Sequence, residues 1–339
     1  MQVLLAIFWS TAVKSLEKEN PLVSIVIPSY NHAQFVQETI QSVIEQDYEN
    51  IELIIIDDGS KDNSVDVIKE MIPACEERFI RFEFRSRSNK GLPITLNECL
   101  GWANGKFFSP VASDDILLSH KISTLLNAWN NDKSLAVVFG DAEFIGENSE
   151  KIELDIYSPF PTFNIKTNRF LLYHTAFNFD YKDKNKFGNY ESILSGNYLP
   201  AMSCIILKSL LVDEGGWNPE CVVEDWQMWL ELSKKIQFFL VDHIVSKYRL
   251  HGNNSADYMR GKLILNTYSL LKEQKKYALS KGFKQPYYKN LARCVYGLRF
   301  VSFSVFLKEL IFNLKSLTFF KYCFLMGTAR FSEDLLNRK

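Results

Sequence analysis

A chain of 339 residues, 47% hydrophobic and 23% charged, can bury one large core or two ordinary ones, which excludes a disordered protein. A formal net charge of -1 gives no overall attraction to nucleic acid, so no such partner is expected. The cysteines Cys75, Cys99, Cys204, Cys221, Cys294 and Cys323 form no CxxC pair and no regular spacing, which excludes a disulfide scaffold or zinc ribbon and predicts buried free thiols in a reducing compartment.

Residues 1–20 open on the apolar run MQVLLAIFWSTAV, which lacks a basic start and falls short of the ~20 residues a membrane span needs. It is expected to be a short interfacial helix or a start assigned too early. No later stretch has about 18 uninterrupted apolar residues, so a cytoplasmic chain that does not span a membrane is expected. From Pro21 short β-rich runs alternate with helical ones, the pattern of an α/β fold with a mostly parallel sheet. Val23 to Tyr30 reads as the first strand, Gln34 to Glu45 as a helix with Phe35, Val36, Ile40, Val43 and Ile44 on one side, and Ile51 to Ser60 as a buried second strand ending in carboxylates. A second helix follows, then a strand at Arg81 to Arg85, a helix at Leu92 to Ala103, a strand at Lys106 to Ala112 and another at Leu135 to Phe139. The Phe-, Tyr-, Asn- and Lys-rich stretch from about residue 145 to 195 has no period and is expected to be an irregular insertion. Order returns at Ala201 to Lys208, the turn Gly215-Gly216-Trp217, a helix from Glu224 to Lys234 and a strand from Phe238 to Val241. From Arg260 to Arg330 the acids are Glu273 and Glu309 alone, and basic amphipathic helices are expected.

In such a sheet ligands bind at the carboxyl ends of the strands, where loops converge. Asp57-Asp58-Gly59-Ser60 and Ser113-Asp114-Asp115 both fall there. Each has a structural alternative, a turn or a helix cap. Two adjacent acids exceed what capping of the helix after Asp115 requires, and hard oxygens suit Mg²⁺ or Mn²⁺ shared with a diphosphate. A third site, Glu224-Asp225, begins a helix; the helix dipole alone would favour acids there, but Val222, Val223, Trp226 and Trp229 supply an apolar setting that keeps a carboxyl suited to general-base work. His251, in Tyr248-Arg249-Leu250-His251-Gly252-Asn253-Asn254-Ser255, is either a packing residue or a ligand.

In this order the motifs resemble the family 2 inverting glycosyltransferases of the GT-A fold. Val26-Ile27-Pro28-Ser29-Tyr30-Asn31 is similar to that family's opening strand and donor-base loop, Ile56-Asp57-Asp58-Gly59-Ser60 to its second acidic motif, and Asn89-Lys90-Gly91 followed by Asn97 to the segment nearing the donor phosphates and ribose. Leu92-Pro93-Ile94 departs from the usual basic pattern after that glycine. Ser113-Asp114-Asp115 resembles the metal motif, Gly215-Gly216-Trp217 the acceptor-side turn, and Glu224-Asp225-Trp226 the catalytic acidic pair. The resemblance implies a GT-A catalytic domain over 21–256, with a nucleotide-binding half (21–145) and an acceptor-side half (146–256), followed by a helical tail (257–339). It implies donor contacts from Pro28, Tyr30, Asp58, Asn89, Lys90 and Asp114, with Asp58 on the nucleobase, Tyr30 packed near it and Asp114 by the ribose. Asp115 would hold Mn²⁺ or Mg²⁺, His251 would complete the metal or diphosphate site, Asp225 would be the base and Glu224 would help place the acceptor. The expected partners are a UDP-sugar and a saccharide acceptor, lipid-linked in bacterial O-antigen or capsule synthesis, and an anionic membrane surface met by the tail. Two other readings stay open. A sugar-phosphate nucleotidyltransferase would need a glycine-rich basic loop where Pro28-Ser29-Tyr30-Asn31 stands. A non-catalytic nucleotide-sugar-binding or scaffold protein would have no need of intact acids at all three sites. In the tail, Phe300, Phe303, Phe306, Phe312, Phe319, Phe320 and Phe324 stand among Arg293, Arg299, Lys308, Lys315 and Lys321, which suits packing on the catalytic domain or an interfacial role.

Overall fold

The computed structural model describes residues 19–157, 164–176, 178–252, 254, 259–314 and 316–323. Most of the apolar N-terminal segment, together with Asn253, Ser255, Lys315 and Phe324, lies outside the described residues.

Strands β1 (Val23–Ser29) and β2 (Ile51–Asp57) are near-continuous apolar runs, and every residue of β2 is buried, as a parallel strand covered on both faces requires. Side chains alternate across the sheet. Ile25, Ile27, Leu53 and Ile55 join one core, capped by α1 (Val36–Ile44), α2 (Ser64–Arg78) and α4 (Lys121–Asn131). Val26, Ile54 and Ile56 join the other, which takes in α3 (Leu92–Trp102) and the helices that end the chain. With β3 (Arg81–Ser86), β4 (Phe107–Pro110), β5 (Ile116–Leu117), β6 (Val137–Ile145), β9 (Cys204–Leu207) and β10 (Phe239–Arg249), one eight-stranded sheet runs β3-β2-β1-β4-β9-β6-β10-β5. β1 pairs in parallel with β2 and β4, and β6 with β10, but β9 sits antiparallel between β4 and β6.

Three expectations change. The stretch from 145 to 195 is not wholly irregular: it holds the hairpin β7 (Leu154–Tyr157) and β8 (Asn164–Thr167), helix α5 (Phe170–Thr175) and helix α6 (Tyr190–Leu194). Its aromatics show no period because Phe170, Phe187 and Tyr190 enter the cores singly from turns and short helices. The strand expected at Phe238 to Val241 runs on to Arg249; its register against β6 shifts between Leu240 and Ile244, and the polar residues Asp242 and His243 fall at that irregularity. The strand expected to stop at Phe139 runs to Ile145.

After α7 (Lys208–Asp213) and α8 (Glu224–Ser233) come α9 (Arg260–Ser280), α10 (Lys284–Leu298) and α11 (Phe303–Asn313). α9 and α10 bury Tyr268, Leu271, Ala278, Tyr287, Leu291 and Val295 against the core that contains Trp226 and Trp229. All six cysteines are free thiols, and only Cys323 is not fully buried.

Candidate active site

The sheet ends β1 and β2 are laced together. Asn31, held at φ 54°, accepts the Lys61 N–H at 2.7 Å and donates its own N–H to Ser60 Oγ at 2.9 Å. Ser64 Oγ accepts the His32 N–H at 2.9 Å, and Asp62 accepts that of Ala33 at 2.9 Å. His32 is thereby fixed at the mouth of the sheet. Its Nδ1 lies 2.8 Å from Ser113 Oγ and its Nε2 3.8 Å from Asp114 Oδ2. His251, just beyond β10, places Nε2 3.0 Å from the same Asp114 oxygen. One ligand atom from each of His32, Asp114 and His251 lies within 4.8 Å of the others. Burial pushes the His32 imidazole below its usual range against the opposing pull of Asp114, which favours the neutral ring that can offer a lone pair.

Asp115 points elsewhere. Its carboxylate is buried and accepts the Arg249 N–H at 3.0 Å, and burial, then the neighbouring Asp114 charge, push it well above the usual carboxylate range. Arg249, 1% exposed, donates to the Asp114 carbonyl at 2.7 Å, the Glu147 carbonyl at 3.0 Å, Ser149 Oγ at 2.8 Å and Glu38 at 2.5 Å. This clamp fixes the backbone that presents Asp114 and His251.

On the donor side, Asp57 closes its own turn by accepting the N–H groups of Gly59 and Ser60 at 3.2 and 3.1 Å. A Cβ at Gly59, whose φ is +75°, would meet Asn89 N at 2.6 Å, so only glycine fits. Asp58 accepts the Lys90 and Gly91 N–H groups at 2.7 and 2.9 Å and pairs with Arg87. A carboxylate has about four acceptor positions, so the structure gives most of Asp58 to holding the loop that enters α3, where the resemblance gave it to a nucleobase. The Lys90 ammonium rests on Glu98 at 3.0 Å, and Asn89 is exposed. Asn97, grouped with the donor segment by the resemblance, instead bridges to the Gly215-Gly216-Trp217 turn: it donates to the Trp217 carbonyl at 2.7 Å and accepts the Trp217 N–H at 2.8 Å. Pro28 is half-buried and Tyr30 is 40% exposed at the rim.

Glu224 and Asp225 open α8 and are half-buried above Trp226 and Trp229. Asp225 accepts from Asn197 Nδ2 at 2.9 Å. Burial raises the Asp225 carboxyl, while the Asn197 hydrogen bond pulls the other way. Burial, then the Asp225 charge, push Glu224 up to about 8. With both carboxyls raised and Glu224 the one pushed to about 8, the pair holds a proton at neutral pH. A cleft of about 270 Å³ beside Trp217 is lined by Gln227, Met228 and Glu231. Those positions lie three, four and seven residues after Glu224 and so share its face of α8, further along the helix.

His32, Arg87 and Asn197 are the residues that the sequence motifs leave out, whereas Arg249 stands in the His251 segment without a role of its own. His32 adjoins the Pro28 to Asn31 motif, and that adjacency was its only signal.

A glycosyl transferase family 2 model matches residues 24–183. A glycosyltransferase of uncharacterised activity from Rickettsia felis is 34% identical over 133 residues, 39% of this chain, which spans only 21% of that relative's length. One from Haemophilus influenzae is 28% identical over 236 residues, covering 70% of this chain and 68% of its own. Among solved structures, S. aureus TarS in complex with UDP-GlcNAc has a TM-score of 0.53 at 15% identity, covering 83% of this chain and 73% of its own. Mannosyltransferase PcManGT from Pyrobaculum calidifontis, in complex with GDP-Man and Mn²⁺, has a TM-score of 0.53 at 12% identity, covering 98% of this chain and 95% of its own. These two give the fold. Residues 24–183 thus match glycosyl transferase family 2, and the chain has a GT-A-type fold with a helical C-terminal region.

Proposed function

We propose that the protein transfers a hexosyl group from a UDP-sugar to a sugar hydroxyl of an acceptor, with inversion at the anomeric carbon. The observation that carries this reading is the meeting of His32, Asp114 and His251 at the end of the sheet, with a second acidic pair, Glu224 and Asp225, on a different element. Two imidazoles and one carboxylate make a mixed nitrogen and oxygen set, which suits Mn²⁺ better than Mg²⁺, a cation that prefers oxygen ligands. The metal role expected of Asp115 thus passes to Asp114, with His32 as a further ligand. A bound cation would supply counter-charge to the departing diphosphate.

The chain's own groups do the rest. His32 and His251 offer ring nitrogens beside Asp114, and Arg249 holds the backbone of Asp114. Asp225, beside a protonated Glu224, removes the acceptor hydroxyl proton as that oxygen attacks the anomeric carbon from the face opposite the nucleotide, so an α-linked donor gives a β-linked product. Asn197 orients the Asp225 carboxylate through its 2.9 Å hydrogen bond. TarS binds UDP-GlcNAc and PcManGT binds GDP-Man, so a nucleoside-diphosphate sugar is the donor class, with UDP chosen on the family resemblance. We assign the acceptor to a lipid-linked saccharide in bacterial polysaccharide synthesis and the enzyme to the cytoplasmic face of the membrane.

The test is release of nucleoside diphosphate from a panel of UDP- and GDP-sugars, with Mn²⁺, with Mg²⁺ and with chelator. Turnover of a UDP-sugar that is strongest in Mn²⁺ and lost on chelation supports the reading. Equal turnover in chelator would refute the metal role, and no turnover of any donor alongside tight UDP binding would favour the non-catalytic alternative.

A further inference from the structure

Helix α11 carries Phe303, Leu307, Ile311 and Leu314 on one stripe, four, four and three residues apart, and they are 64, 39, 66 and 40% exposed. In the helical residues 317–323, Leu317 is 86% and Phe320 52% exposed as well. The adjoining side of α11 is already in use, with Phe306 and Leu310 packed against the core. A helix that is apolar on both sides is stable only where something covers the second side.

The charge around the stripe identifies what covers it. Between Arg260 and Lys321 the sequence has thirteen Lys and Arg against two Glu, although the whole chain is close to neutral. One of those acids, Glu309, is engaged by the Tyr268 hydroxyl. Lys308 and Lys321 are exposed beside the stripe, and the Lys275 ammonium lies 6.0 Å from the Phe312 ring. Cations flanking exposed aromatic and aliphatic groups complement an anionic headgroup layer over acyl chains. A second copy of the same face would bring like charges together, and bare Leu307, Ile311 and Leu317 offer a nucleic acid neither stacking nor hydrogen bonds. No described helix is long and apolar enough to cross a membrane, so the contact lies in the plane of the surface.

We infer that the outer stripe of α11, together with residues 317–323, docks the protein on an anionic lipid membrane. The inference rests on the proposed function only in the use it gives the surface. Asn266 of α9 accepts the Val222 N–H at 3.1 Å, so the helical tail is joined directly to the segment that leads into Glu224 and Asp225. A docked tail thus holds the acceptor side of the active site near lipid.

The experiment is flotation of the full chain with phosphatidylcholine vesicles, neutral or containing about a third phosphatidylglycerol, at low and high salt. The variants are Leu307→Ser with Ile311→Ser, and Lys308→Gln with Lys321→Gln; all four positions are exposed, and near-ultraviolet circular dichroism checks the fold. Wild type is expected to float with anionic vesicles and to release in salt. The serine pair should lower the partition by at least about tenfold, and the glutamine pair by about 25-fold, five-fold for each cation. Hydrolysis of a UDP-sugar without vesicles should be unchanged in both, which separates failure of this surface from failure of the catalytic reading. Wild type that stays with neither vesicle, or a serine pair that floats as well as wild type, overturns the inference. So does a wild-type dimer that the serine pair converts to monomer, because the face then belongs to a second copy.

Discussion

Replacing Glu224 by Gln removes one titrating group from the acidic pair and keeps its shape. In the folded chain burial and the Asp225 charge push Glu224 up from 4.5 to about 8. A carboxyl raised on folding contributes stability that is complete below its unfolded value, near 4.5, and is lost as pH rises through about 8. The full displacement would be worth about 5 kcal/mol at 1.36 kcal/mol per pH unit. Glu224 is only half-buried, however, so water screens it and about 1–2 kcal/mol is expected. Between pH 5 and 8.5 the wild-type Tm should therefore fall by about 2–4 °C relative to Glu224→Gln, as calorimetry in parallel buffers would read. Turnover should agree. Glu224 is protonated at pH 7, so the glutamine enzyme should keep its activity there within about threefold, and it should lose whatever change wild type undergoes as pH passes about 8. Parallel Tm curves for the two proteins, with equal pH profiles, would refute the raised Glu224 carboxyl and with it the assignment of Asp225 as the base.

Asp225→Asn should lower turnover by roughly 10²- to 10⁴-fold with donor affinity unchanged by titration calorimetry; lost donor binding with surviving turnover would move Asp225 to the donor site. Asp114→Asn and Asp115→Asn should part company: the first loses the response to Mn²⁺ with little change in denaturant midpoint, whereas the second, at a buried group that holds the Arg249 N–H, loses about 1–3 kcal/mol of stability. Asn97→Ala breaks both hydrogen bonds to Trp217 and should cost about 2–3 kcal/mol by urea unfolding, with Mn²⁺ dependence intact.

The parallel core of the sheet was legible because strands buried on both faces write themselves as unbroken apolar runs, as Ile51 to Ile56 does. Asp57-Asp58 and Asp114-Asp115 were legible too, since each follows a strand. The aim of a side chain was not. Asp114 and Asp115 are consecutive, and only the path of the backbone beyond β4, held by Arg249, turns the first toward His251 and the second into the protein. His32 was missed for a related reason: its neighbour Ser113 is 81 residues away, and nothing local marks a histidine as facing one strand end or another. The pairing of β9 was equally hidden, because four apolar residues carry no sign of strand direction.

That pairing has a consequence for synthesis on the ribosome. Ser109 on β4 meets Cys204 at the start of β9, 95 residues later, and β6 waits for the same strand. At roughly 5–20 residues per second, the β4 edge is made ~5–20 s before the strand that covers it. During that interval the nascent chain carries β1, β2, β3 and β4 as a partial sheet with one hydrogen-bonding border bare, a template for any other extended chain. A chain severed near residue 145 would leave that border permanently open, because Cys204 to Leu207 would never arrive to cover it.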